Sequence, residues 1–367
     1  MKQDHELAGI EVLRFMSAFA VLIWHYQHFF YSGVPEEAVL AQARDSLPLH
    51  TLFLPAYKYG YWAVQVFWLI SGFIFYRQYA DTVSNRSIGF LDFVLRRFSR
   101  LYPLHLVTLL IVAVGQEIYL SSHESAFIYQ NNDGVSFAYQ LLFASNWFPH
   151  QVTSFNGPIW SISSEILVYV AFFGIVRVFG PNFLVAFLAW AMSCIIFDKG
   201  LADNFFNSDI ANCAIFFFAG GVTQRLCKYR YTVWLAGCAG LITLVLLMVH
   251  LCHVNTQSML ALAISAVVLL SSLDVAGVNS VARRVSFLGN ATYSSYLIHF
   301  PLQLAIVIVV DRLNLSRSLF FHPIVLVGFL ALVIGASLVV YYWFERPMQD
   351  WIRNNFRQMT KSAPRPR

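Results

Sequence analysis

The chain has 367 residues, of which 58% are hydrophobic and only 12% charged, with a net charge of +5. Soluble domains carry about 25% charged residues, so this composition excludes a water-soluble globular fold. The basic excess does not point to nucleic acid, because it gathers at the ends of apolar stretches, as in membrane proteins.

Apolar stretches of about 20 residues, the length that crosses a bilayer as a helix, recur ten times. They cover 10–31, 59–79, 99–119, 159–179, 182–198, 209–226, 231–250, 256–274, 290–311 and 322–344. Lipid offers backbone amides no partner, so helices are the expected form, and the alternation of a membrane barrel is absent. The predicted fold is all-α, a polytopic transmembrane bundle of about ten spans. If the N-terminus is cytoplasmic, eighteen of the 24 Lys and Arg residues fall on the cytoplasmic side and five on the other, with Arg14 inside the first helix. That bias predicts both termini inside. Residues 1–350 read as one membrane domain, and 351–367 as a basic, disordered cytoplasmic tail at the anionic leaflet.

The first apolar segment is too long for a cleaved leader. The five cysteines, Cys194, Cys213, Cys227, Cys238 and Cys252, read as small buried hydrophobes. None has a metal-ligand spacing, so no metal is expected. The longest outer loops are 32–58 and 120–158. The second holds His123, Glu124, Asp133 and His150 with no Lys or Arg, and its length marks it as functional.

Ionisable groups within spans are costly, so they are the first functional suspects. Arg14 and His25 lie on the first helix. Eleven residues at about 100° each put them on one face, about 16 Å apart along the axis. A cation near one interface and a base at mid-membrane suit a substrate with an anionic head and a reactive end. The plainer reading is a snorkelling arginine and a hydrogen-bonded structural histidine. Arg97 and Arg100, three apart before the third span, share a face suited to phosphate, or simply anchor the helix. Glu165 begins the fourth span near the outer face, one turn after Ser161. It is either a buried functional carboxylate or a helix-start acid. Tyr296 and His299 share a face of the ninth span, where Pro301 introduces a kink. Glu345, at the end of the last span, reads as an interfacial anchor.

Six segments in this order resemble the membrane-bound acyltransferase-3 family. They are Leu13-Arg14 with His25, Phe67–Phe73, Arg96–Pro103, Trp160-Ser161 with Glu165, Tyr293–His299 and Phe344–Pro347. The resemblance implies a multi-pass enzyme of the bacterial inner membrane that O-acylates sugars of surface polysaccharides or lipid-linked glycans, usually with acetyl. It implies acetyl-CoA or another acyl-CoA as donor substrate, a carbohydrate or glycolipid acceptor, no permanently bound cofactor and no nucleic-acid partner. On the residues matched here, His25 and Glu165 would be catalytic. Arg14, Arg97 and Arg100 would bind acyl-CoA. Trp160, Ser161, Tyr296 and His299 would serve the acceptor or the structure. Many relatives have Asp where this chain has Glu11, and Tyr where it has His105. Some carry an added esterase-like domain that is not seen in these 367 residues.

The expected mechanism places the CoA phosphates on Arg97 and Arg100 with help from Arg14, and the thioester against His25. His25 then carries the acyl group covalently or deprotonates the acceptor. A secondary transporter and a glycolipid flippase explain the spans equally well. Neither predicts the arginine cluster and the aligned Arg14 and His25 as well as acyl transfer does.

Overall fold

The structure is a computed structural model that describes residues 7–31, 46–149, 151–227, 238, 240–243, 245, 255–275 and 280–362. The main helices are α1 (Ala8–Tyr26), α2 (Ala63–Gln78), α3 (Phe90–Leu120), α4 (Ile159–Phe179) and α5 (Phe183–Asp198). They continue with α6 (Ser208–Cys227), α7 (Thr256–Val275), α8 (Thr292–Arg312), α9 (Pro323–Val340) and α10 (Arg346–Ser362). Among the described residues there is no strand, and seven helices are long and apolar enough to cross a membrane. The chain is therefore a polytopic helical membrane protein.

The apolar runs fix these helices, and their outer faces are what lipid requires: Val114, Ile324 and Val339 stand exposed. Two predicted spans are short. Residues 59–79 form a 3-10 turn, Gly60–Trp62, followed by the 16-residue α2, and residues 182–198 form the 16-residue α5. The predicted span at 231–250 lies largely outside the described residues.

The predicted disorder of 351–367 does not describe the chain through Ser362. Beyond Val340 a π-helical turn, Tyr341–Glu345, leads directly into α10. Arg353 ties α10 to α3, donating to Ser99 Oγ (3.1 Å) and the Arg96 carbonyl (3.1 Å). A composition rich in Arg, Asn and Gln reads as solvated chain, yet its polar side chains here bond a neighbouring helix.

α2 and α6 form the tightest crossing. A Cβ at Gly72 would lie 1.8 Å from the Phe217 carbonyl oxygen, so only glycine lets the backbones meet there. Around this crossing Phe75, Tyr76, Phe172, Phe216 and Phe217 form one buried core. A second core of Tyr26, Phe29, Phe127, Phe300 and Phe329 fills the other end of α1 and α8. The polar residues lie between these two layers. At 31 residues α3 is about 46 Å long, well beyond a hydrocarbon core of about 30 Å. Its first turns, with Arg96, Arg97 and Arg100, therefore sit at one rim of the bundle.

Candidate active site

Ser161, Glu165 and Tyr169 follow at four-residue spacing on α4 and share one face. That face lines a cavity of about 850 Å³ together with Arg14 of α1, Ser71 of α2, Arg97 and Arg100 of α3, and Tyr296 of α8. Five helices thus gather residues that are far apart in the chain.

Arg97 and Arg14 are held in place. Arg97 hydrogen-bonds the Tyr79 hydroxyl, and its guanidinium lies 4.7 Å from the Phe75 ring centroid and 4.9 Å from that of Tyr79. Arg14 pairs with Glu11 at 2.8 Å. Arg100 faces the carboxylates of Glu345 and Glu11. Glu345 is only 3% exposed and accepts from Ser294 Oγ at 2.5 Å. It is a buried partner for Arg100 and not the interfacial anchor that its place at the end of a span suggests.

The hydroxyls of Ser71 and Tyr169 lie beside Glu165, and Arg97 and Arg14 are within electrostatic reach. Its Oε1 is buried and has no hydrogen-bond partner among the described residues. The expected place for Glu165, near the outer face and apart from the arginines, is corrected here. α4 carries it into the same cavity, because the helix runs down beside α3 and α2.

Behind this cavity lies a cluster of three histidines. The ring centroids of His25 and His299 are 4.6 Å apart, and those of His25 and His28 are 4.9 Å apart. His25 Nδ1 is 3.0 Å from the Val21 carbonyl oxygen. A carbonyl only accepts, so Nδ1 carries the proton of the neutral ring and Nε2 keeps the lone pair. The same logic applies to His299, whose Nδ1 lies 3.2 Å from the Ser295 carbonyl oxygen; its buried Nε2 has no partner among the described residues. Gln303 donates to the His25 carbonyl at 2.8 Å and fixes the end of α1.

Tyr296 joins the two sites. It lines the cavity, its hydroxyl meets Ser161 Oγ at 2.8 Å, and its ring lies 6.1 Å from that of His299. His25, expected against the thioester, and His299, expected to serve the acceptor or the structure, do not line the cavity themselves. Trp160 also stays outside, edge-on to Trp68 at 5.7 Å, and serves packing.

The segment 121–158 closes over the histidines. The Tyr129 ring lies 6.1 Å from His28 and 4.9 Å from Phe300. It presses on Gly157, where a Cβ would fall 2.1 Å from the ring. Ile128, Phe143 and Phe155 all hold positive φ, at 61°, 56° and 43°, conformations that only surrounding structure maintains in non-glycine residues. That structure includes Gln116, which exchanges two 2.9 Å bonds with the Phe127 backbone, and Asn156, which donates to the Leu297 carbonyl at 3.1 Å. His105 is part of the same support, buried and 2.7 Å from the Gln140 carbonyl.

Sequence reasoning missed His28, Ser71 and Tyr169. His28 stands three residues after His25 and Tyr169 four after Glu165, so the spacing rule that paired Ser161 with Glu165 would have found both. Ser71 lies inside the Phe67–Phe73 segment, but no spacing to a partner singles it out.

A family model described as an acyltransferase domain matches residues 7–342. The chain belongs to the acyltransferase-3 family. This acyltransferase-3 chain is also similar to acyltransferase MdmB of Streptomyces mycarofaciens. The two are 31% identical over 169 residues, which cover 45% of this chain and 38% of that protein. The match thus spans well under half of the relative's length. No solved structure matches the chain. With its apolar helices, the chain is a membrane-embedded member of the acyltransferase-3 family.

Proposed function

We propose that this acyltransferase moves an acetyl group from cytoplasmic acetyl-CoA to a hydroxyl of a surface polysaccharide or lipid-linked glycan, in a bacterial inner membrane. The observation that carries the reading is one cavity with Arg14, Arg97 and Arg100 around it and Tyr296 leading to the histidine cluster. Planar guanidinium groups suit the CoA phosphates through paired N–H contacts. Arg97 is fixed by two ring faces and a hydroxyl, so little freedom is lost when phosphate binds. The thioester then points past Tyr296 towards His25, whose Nε2 lone pair supports two routes. In one, Nε2 attacks the thioester carbonyl, the C–S bond breaks, CoA leaves as thiolate and takes up a proton, and an acceptor hydroxyl later receives the acetyl group from the imidazole. In the other, Nε2 takes the proton of the acceptor hydroxyl as the acceptor oxygen attacks the thioester carbonyl, the C–S bond breaks, and CoA leaves as a thiolate that takes up that proton. In both, Glu165 orients or activates a reacting group from the cavity wall.

The test is transfer of radiolabel from acetyl-CoA into the glycan fraction of membranes carrying the wild type or His25→Ala, at matched protein levels. Label with the wild type and a loss of about 10²-fold or more in the variant is the expected result. Equal labelling by both would sink the role of His25. Label in neither, with ion-coupled uptake into vesicles holding the pure protein, would instead favour a transporter.

A further inference from the structure

Two of the cavity's arginines, Arg97 and Arg100, stand on a turn of α3 that the helix by itself holds weakly. Pro103 has no amide to donate, so the Ser99 carbonyl lacks the bond that an unbroken helix would give it. α10 packs against this turn. Arg353 donates through Nε to Ser99 Oγ at 3.1 Å and through Nη2 to the Arg96 carbonyl at 3.1 Å. Ser99 is only 1% exposed, and its hydroxyl donates to the same carbonyl at 3.2 Å. With its amide turned to accept, Gln349, one turn earlier on α10, lies 2.9 Å from Arg353 Nη1. All three guanidinium nitrogens are thus engaged, two of them on α3. A planar fork with two prongs on one turn fixes its geometry as a single contact does not.

Charge points the same way. Arg353 lies within electrostatic reach of Arg96, Arg97 and Arg100, and of the Tyr79 hydroxyl that Arg97 bonds. Among the described residues no carboxylate forms an ion pair with Arg353. Four guanidinium groups on two packed helices repel one another, so the arrangement favours a ligand that carries several negative charges. Arg353 is not in the cavity wall. It therefore acts on such a ligand through α3 and through its field, not by contact. Its helix lies beyond the acyltransferase domain, which ends at residue 342.

We infer that Arg353 is a positioning residue for the donor's phosphates: it braces the turn that carries Arg97 and Arg100 and adds positive charge behind them. The inference rests on the reading of acyl-CoA as the donor. It makes α10 a part of the donor site.

The experiment is calorimetric binding of CoA to the detergent-purified full chain, together with initial rates of label transfer from acetyl-CoA in membranes. Arg353→Met removes the fork and the charge. Its Kd for CoA and its KM for acetyl-CoA should rise about tenfold, while the turnover number stays within about twofold of the wild type. Arg353→Lys keeps the charge and loses the fork, so its affinity should fall between the two. Raising the salt concentration should narrow the gap between the Lys and Met variants, because salt screens the charge and not the brace. Should Arg353→Met not fold, Ser99→Ala carries the test. It removes one acceptor of the brace and no charge, and should raise the Kd about threefold. A wild-type chain that binds no CoA overturns the donor reading and the inference with it. Wild-type binding with unchanged affinity in the folded variants overturns the inference alone, as does a fall in turnover number with KM unchanged.

Discussion

Arg97→Lys keeps the positive charge and discards the geometry. The guanidinium is fixed by ring faces at 4.7 and 4.9 Å and by the Tyr79 hydroxyl. A lysine ammonium is a point charge without a planar fork, so it neither stacks in this way nor meets a phosphate with two parallel N–H bonds. One charge-assisted hydrogen bond contributes about 1.5–3 kcal/mol. Losing one of two should raise the KM for acetyl-CoA about 10- to 150-fold. The turnover number should change much less, because the phosphate end lies far from the reacting carbon; Arg14, which shares the cavity, is about 16 Å along α1 from His25. Tyr79→Phe removes only the hydroxyl that orients Arg97, an effect of about 1 kcal/mol or about fivefold in KM. The assay is initial-rate label transfer in membranes across a range of acetyl-CoA concentrations. An unchanged KM in Arg97→Lys, or a fall in turnover number alone, would refute the phosphate assignment.

Three further outcomes follow from the same geometry. Glu165→Gln keeps the shape and hydrogen-bonding reach but removes the charge beside Arg97 and Arg14; turnover should fall about 10²-fold while the purified protein remains monodisperse by size-exclusion chromatography. Glu345→Ala removes a buried carboxylate that Ser294 bonds and that faces Arg100, and the yield of folded protein should fall. Pairing Glu345→Met with Arg100→Met should restore that yield but not acetyl-CoA use, and failure to restore it would show that packing and not charge decides the site. Gly72→Leu places carbon against the Phe217 carbonyl oxygen, where a Cβ alone comes to 1.8 Å. It should lower thermal stability by more than the about 1–3 kcal/mol of ordinary overpacking, read from the melting of the protein in detergent.

The sequence by itself determined the class of molecule. Runs of about 20 apolar residues in a chain with 12% charge leave helices in lipid as the solution, and the described spans fall close to where hydropathy put them. It also named six residues of the cavity wall. Arg14, Arg97, Arg100, Ser161, Glu165 and Tyr296 each stood out because a polar group in a span needs a reason.

Tertiary structure decided what those groups meet, because spacing along one helix says nothing about its neighbours. Only the packing of α4 beside α2 and α3 brings Glu165 to Ser71, Arg97 and Arg14, and only the fold of the last span onto α8 turns Glu345 from an anchor into a partner of Ser294 and Arg100. The meeting of His25 with His299 joins residues 274 positions apart at 4.6 Å, which no local pattern encodes. The cavity walled by Asp133, Tyr139, Ser145 and Gln151 is the clearest case. Asn, Asp, Ser and Gln in a long loop read as solvated turn, and what distinguishes Ser145 and Gln151 is burial without a hydrogen-bond partner, a property that exists only once the chain has folded around them.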